Sequence, residues 1–384
     1  MKPDLQPFEE LIYGTTPAFA QAMHVSEDAP PFDPGWHGLP CRITQPRFEV
    51  TADEQDVRPM HVLCVTPLRP RPRAWLVGLN GYGNHTVHAD RRIRPNDLPV
   101  PPLTHLGVRD RRAGAACRGA HSERFPIERI LERGFGFATF CAADLRLDDR
   151  AVADDAGSLH AAGVDAARAA GVAPWGAVGA WAWGLAVLAR HLAWASASAS
   201  ASASAGAAGV QAEADAAPVW VFGHSRRGKA ALWAAARERA IEGVILNNSG
   251  CLGAALTRRA EGETIARITT RHGHWFTPGL SRWAGRDAEM PVDQDALMRA
   301  AVAGGRHLYV SSAAEDGLAD PAGEYAATRS VVASLGAGAW PMEPPPLDQP
   351  RVADRVGYHL RSGPHGVTRF DWEAWLDFVD HAYG

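Results

Sequence analysis

Hydrophobic positions fall along this chain in two alternating forms. Short apolar or β-branched runs bounded by Pro and Gly predict strands: MHVLCVTPL from Met60, AWLVGLN from Ala74, GFGFATFCAAD from Gly134, VWVFG from Val219, GVILNNS from Gly243 and HLYVSSA from His307. Longer apolar segments predict helices: WGAVGAWAWGLAVLA at 175–189, KAALWAAARERA from Lys229, QDALMRAAVAG from Gln294, GEYAATRSVVASLG from Gly323 and the closing WEAWLDFVDHAYG. Strands alternating with helices argue for βαβ units and a mostly parallel sheet, whose chemistry gathers at the carboxyl ends of the strands. Three loops therefore stand out: after VWVF, after HLYVSSA, and before the last helix.

Two stretches fall outside the pattern. Residues 1–59, rich in proline and acid, are expected to wrap the surface of a single α/β domain spanning 60–384. Within that domain the Ser/Ala tract at 195–209 has no side chains able to pack a core and is expected to be a flexible insertion, with a helical extension of the preceding segment as the alternative.

Composition removes several classes. A chain of 384 residues with 46% hydrophobic and 21% charged residues can bury a large core, and 39 Lys plus Arg against 43 Asp plus Glu leaves no basic surface for nucleic acid. Five widely spaced cysteines with no CxxC pair support neither a disulfide framework nor a zinc site. The apolar run at 175–189 is too short to span a membrane and is read as a buried helix. The acids and prolines of MKPDLQPFEELIYGTTPAF make the chain as written read as cytoplasmic, with a secreted or periplasmic location if that start is truncated.

The loop after VWVF holds Ser225 in GHSRRGK, a serine at a strand-to-helix turn. A strict G-x-S-x-G would have glycine at 227, where this chain has Arg227 followed by Gly228. The second loop offers Glu315, Asp316 and Asp320, and the third His359 and His365. The order Ser, acid, His is that of the α/β-hydrolases. A serine needs an imidazole to take its proton, and the imidazole needs a carboxylate to fix its tautomer. His365, between Pro364 and Gly366 in a loop, is preferred to His359, which lies in a strand-like run. The amide of Arg226, with its guanidinium in addition, is the expected oxyanion donor, and the turn LNGYGNHT is a second candidate. Plainer readings stand beside these. Arg227 and Lys229 can be solvated charges, and Glu263 can pair with Arg258 or Arg259. Trp181 and Trp183 read as core, and His85, His272 and His274 as structural histidines.

Taken together, LNGYGNHT, WGAVGAWAWGL, GHSRRGKAALWAAA, NNSGCLGAALTRRAEGE, HWF, PVDQ, SSAAEDGLADP and YHLRSGPHGVTRFDW resemble the glucuronoyl esterases of carbohydrate esterase family 15. The resemblance runs from about residue 75 to the C-terminus. It implies an α/β-hydrolase three-layer sandwich with a mostly parallel central sheet, Ser225 as nucleophile, His365 as base, Arg226 beside the oxyanion, and Lys229 and Glu263 on the sugar hydroxyls. The implied reaction is hydrolysis of an ester of (4-O-methyl)glucuronic acid with an alcohol by a serine esterase, requiring no metal or organic cofactor. Its partner would be a small-molecule or oligosaccharide uronate ester, with no nucleic acid and no membrane. Two departures matter. Asn248 stands where many members carry the triad glutamate, so that Asp316, as in some bacterial members, is the expected acid. Leu318 stands where the family often has a tryptophan. The alternatives are an esterase for another acyl group, acetyl or aryl, and a catalytically weak carbohydrate-binding member of the fold.

Overall fold

Strands covered by helices on both faces must be apolar at every position, and this is how the centre of the sheet is made. The computed structural model describes residues 4–17, 22–52, 55–152, 155–203, 216–259 and 261–383. Twelve strands are found among them: β1 Ala22–Glu27, β2 Cys41–Thr44, β3 Pro46–Ala52, β4 Gln55–Asp56, β5 Met60–Pro67, β6 Trp75–Asn80, β7 Gly136–Cys141, β8 Val219–His224, β9 Ile241–Asn247, β10 His307–Ala313, β11 Arg351–Ala353 and β12 Val356–Arg361. They form one sheet in the order β1-β3-β5-β7-β6-β8-β9-β10-β12-β11, with β2 on β5 and β4 on β3. The pairs from β7 through β12 are parallel, and the flanking pairs are antiparallel.

The helices are α1 Ile127–Glu132, α2 Leu159–Ala170, α3 Ala177–Ala203, α4 Arg226–Arg237, α5 Ile265–His272, α6 Gln294–Val302, α7 Pro321–Ser334 and α8 Arg369–Ala382, besides single turns. Side chains alternate between the two faces of each strand. Val77, Val221, Val244 and Val310 face one core with Trp181, Leu185, Trp233, Leu297 and Val331 of α3, α4, α6 and α7. Leu76, Trp220, Ile245 and Tyr309 face the other core with Ile127, Ile130, Trp375 and Phe378 of α1 and α8. The result is the three-layer α/β sandwich with a mostly parallel sheet.

The N-terminal segment is more than a wrapping, because it supplies β1 to β4 and extends the sheet beyond β5. The Ser/Ala tract continues α3 as far as Ala203, and 204–209 lie outside the described residues. Among the described residues no helix is long and apolar enough to cross a membrane, and all five cysteines are buried and unbridged.

From β6 the chain crosses to β7 on one side and later to β8 on the other. Such a reversal opens a crevice at the carboxyl ends of the two strands on either side of it. Here those ends are Asn80 of β6 and His224 of β8, the residue before Ser225.

Candidate active site

Ser225 joins β8 to α4 at φ 57° and ψ −131°, a left-handed conformation that a non-glycine residue holds only when its surroundings impose it. Its amide donates to Asn247 O at 2.9 Å, and its hydroxyl is not used to cap α4. Two glycines permit the turn. A Cβ on Gly223 would lie 2.3 Å from Arg227 O, and one on Gly228 would lie 2.3 Å from Ser249 Oγ and 2.9 Å from Gly223 O. The second glycine of the elbow is therefore Gly228 rather than residue 227, because it is 228 that faces back onto the strand.

Of the three acids after β10, only Asp316 meets the histidine. His365 Nδ1 lies 2.5 Å from Asp316 Oδ2, while Asp316 Oδ1 accepts from the amides of Leu318 at 2.9 Å and Ala319 at 3.1 Å. Burial works to raise this carboxyl, but His365 and the two amides outweigh it and hold it below its ordinary range. Glu315 is exposed, and Asp320 caps α7 through the Gly323 amide and pairs with Arg259. His359 has no exposed surface and is fixed between Tyr309 and Asp371, so it cannot reach the elbow.

Arg226 is held by Asp148, Nε to Oδ2 at 2.5 Å, and its guanidinium lies 5.3 Å from the centre of the Trp275 ring. Asp148 also accepts from Trp275 Nε1 at 2.8 Å and lies 3.3 Å from His274 Nε2. Burial pushes the Asp148 carboxyl up, yet Arg226 and these donors carry it far below the carboxylate range. The Arg226 amide, at the first position of α4, has no partner within the helix. In the turn after β6, by contrast, the amides of Tyr82 and Gly83 both donate to Asn80 Oδ1, so these two are not free to serve an oxyanion.

Lys229 is buried, which rules out a solvated charge. Its Nζ donates to the carbonyls of Ser249 and Cys251, both at 2.5 Å, and stands 3.9 Å from Glu263. Arg258 instead donates to Met290 O, and Arg259 pairs with Glu261 and Asp320. Glu263 is tied to the loop after β10 by its amide, which donates to Leu318 O at 3.0 Å, and the Leu318 side chain is 43% exposed. Trp181 and Trp183 are core, His85 accepts from the Asn96 amide, and His272 stacks on Trp275.

Further residues hold the site without being candidates for its chemistry. Arg361 donates to the carbonyls of Ser362, Pro364 and Gly366 and to Asp371, and thereby shapes the His365 loop. Asn248 donates to Gly366 O at 3.0 Å and accepts from the Ala313 amide at 2.8 Å, tying the same loop to the end of β10. The His224 ring centre lies 4.4 Å from that of His365, and burial holds His224 neutral. The signal that could have found Arg361 and Asp371 is the Thr368/Asp371 capping box that opens α8 directly after the loop.

No family model matches the chain. It is 31% identical, over 98% of its length and 82% of the relative's, to carbohydrate esterase MZ0003 from an unknown prokaryotic organism. Among solved structures it is similar to a promiscuous CE15 esterase from a marine bacterial metagenome, with 30% identity, TM-score 0.78 and coverage of 98% of this chain and 89% of that one. A glucuronoyl esterase from Solibacter usitatus matches at 28% identity and TM-score 0.76, over 99% of this chain and 91% of that one.

Proposed function

Because the chain belongs to carbohydrate esterase family 15 and is a glucuronoyl-esterase-like carboxylic ester hydrolase, we propose that it cleaves esters of (4-O-methyl)glucuronic acid, with Ser225, His365, Asp316 and Arg226 as the reacting groups. The observation that carries this reading is the His365–Asp316 pair at 2.5 Å, held on a loop beside the strained Ser225 elbow. Asp316 on Nδ1 leaves His365 Nε2 as the proton acceptor. Ser225 Oγ attacks the ester carbonyl as Nε2 takes its proton, and the negative charge on the carbonyl oxygen falls to the Arg226 amide and guanidinium. Collapse of this intermediate breaks the acyl–oxygen bond, and Nε2 returns the proton to the departing alcohol. Water, deprotonated by the same nitrogen, then releases the uronic acid and restores Ser225.

Lys229 and Glu263 are assigned to the sugar hydroxyls. The 3.9 Å between them keeps each charge countered, with the remaining hydrogen-bonding capacity of Glu263 open to a ligand. A second reading, broader acyl specificity, is favoured by the exposed Leu318: an aliphatic side chain offers a sugar neither a stacking face nor an N–H donor.

Purified wild type and Ser225→Ala assayed on benzyl glucuronate and para-nitrophenyl acetate test both readings. The expected outcome is a kcat/KM on the glucuronate at least about ten-fold above that on the acetate, and loss of both activities, by about 10⁴-fold or more, in Ser225→Ala. Activity that survives the substitution overturns the nucleophile assignment. Preference for the acetate replaces the first reading by the second, and failure on both esters points to the binding protein.

A further inference from the structure

Arg227 and Arg124 take no part in the steps above. A Cβ on Gly81 would stand 1.7 Å from Arg227 Nη2, so the half-buried Arg227 lays its guanidinium against the bare α-carbon of the turn after β6. Its Nε is buried without a hydrogen-bond partner among the described residues. Asp148, which acts on Arg227 from a distance, is already engaged by Arg226, Trp275 and His274. Burial and then the charge of Arg226 push Arg227 down to about 10.

Both arginines line a cavity at the reversal point of the sheet, together with His121, His224, Tyr82 and Phe222 and, among the described residues, with no Asp or Glu. His121 is only 6% exposed, and its Nδ1 is buried with no partner among the described residues. Burial carries this ring to about 3, so it is neutral and able to present an N–H. The residues that carry two guanidiniums, an orphaned Nε and an orphaned imidazole nitrogen thus line one space, with no carboxylate among its described lining. Buried charges are ordinarily paired, and an arginine pair fits a planar oxyanion in particular. The cavity volume, ≈ 30 Å³, is room for about two water-sized groups, the size of a carboxylate.

Its position decides whose carboxylate this is. Lys229 holds the loop after β9, and Glu263 and Leu318 hold that after β10, so the sugar assignment lies on the β9–β10 side of Ser225. The cavity lies on the opposite, β6 side, and Val367, two residues past His365, closes it. His365 joins the two sides: its Nδ1 meets Asp316 after β10, and its ring centre lies 4.4 Å from that of His224, which lines the cavity. We propose that this crevice binds a carboxylate carried by the alcohol portion of the ester, so that the leaving alcohol of this enzyme is anionic. The inference rests on Ser225 and His365 as the reacting pair.

The test compares the benzyl and para-carboxybenzyl esters of glucuronic acid in wild type, Arg227→Gln and Arg124→Gln. Alongside, calorimetry measures binding of para-(hydroxymethyl)benzoate, benzyl alcohol and inorganic phosphate to the same proteins. Wild type is expected to prefer the carboxybenzyl ester by about ten-fold in kcat/KM, chiefly through KM, the contribution of one charge-assisted hydrogen bond. Either substitution brings that ratio close to one, and Arg124→Gln answers the question if Arg227→Gln fails to fold. The benzoate should bind wild type about ten-fold more tightly than benzyl alcohol and lose that advantage in the variants. Equal rates on the two esters in wild type, or a preference that outlasts both substitutions, overturns the proposal. Phosphate binding as tightly as the benzoate also overturns it, making the crevice a site for free oxyanions. Benzoate binding that depends on the arginines, with neither ester hydrolysed, upholds the crevice and overturns the reacting pair instead.

Discussion

Glu324 on α7 has no exposed surface, and its carboxyl accepts from the Gly250 amide at 2.8 Å and the Ser312 hydroxyl at 2.5 Å. Burial outweighs these bonds, with the charge of Asp316 adding to it, and raises the carboxyl from 4.5 to about 8. An acid raised in this way holds its proton more tightly folded than unfolded. Its contribution to stability is complete below the unfolded value and is lost as pH rises through about 8. Glu324→Gln mimics the protonated form. The variant should match wild type in urea unfolding near pH 5 and exceed it near pH 8 by on the order of a few kcal/mol, and an equal loss at both pH values would contradict the assignment. From sequence Glu324 passes for an ordinary acid on a helix, and Arg227 passed for a solvated charge in the same way. The Asp316–His365 pair could be anticipated because an imidazole base requires a carboxylate partner. Burial of one charge depends on which distant loop packs over it, here the Gly81 turn on Arg227, and periodicity carries no trace of that.

At the scale of elements, the elbow works because β8 and α4 approach within the radius of a methyl group. A Cβ on Gly223 would sit 2.3 Å from Arg227 O and 2.5 Å from Gly228 N, both backbone atoms of the first helical turn, which cannot move aside as a side chain could. Gly223→Ala should therefore cost about 3 kcal/mol or more in urea unfolding, at the upper end of overpacking. Gly114→Ala, where φ is −78° and nothing among the described residues lies within 4 Å of the added Cβ, should stay within about 0.5 kcal/mol. Equal costs would mean that the elbow has slack. Six strands of the centre were legible as apolar runs because helices cover both their faces. The four before Met60 were not. In β3 the buried Phe48, Val50 and Ala52 alternate with Arg47, Glu49 and Thr51, and a strand with only one face buried breaks up the run that identifies a strand covered on both.

For the molecule as a whole, the first residues join the helical layer to the site. Tyr13 is fully buried, stacks on Trp233 of α4 with ring centres 4.7 Å apart, and donates its hydroxyl to Leu252 O at 2.9 Å. Leu252 follows Cys251, whose carbonyl holds Lys229. Backbone bonds from Gly176 and Thr277 to the carbonyls of Tyr13 and Ile12 fasten the same segment to the start of α3 and to the stretch beyond α5. If residues ahead of Met60 only wrapped a finished domain, removing the Tyr13 ring would leave global unfolding and the site untouched. Packed as it is, Tyr13→Ala should cost about 3–5 kcal/mol, as for other large aromatic truncations, in a single cooperative transition. The same variant should raise KM for a glucuronate ester more than it lowers kcat, because the loop that positions Lys229 loses its support while Ser225, His365 and Asp316 keep theirs. Tyr13→Phe, which keeps the ring and gives up the hydroxyl's contacts with Leu252 O and Gln294 Oε1, should cost about 1 kcal/mol. A separate early transition in Tyr13→Ala, with KM unchanged, would return the N-terminal segment to the role of a covering.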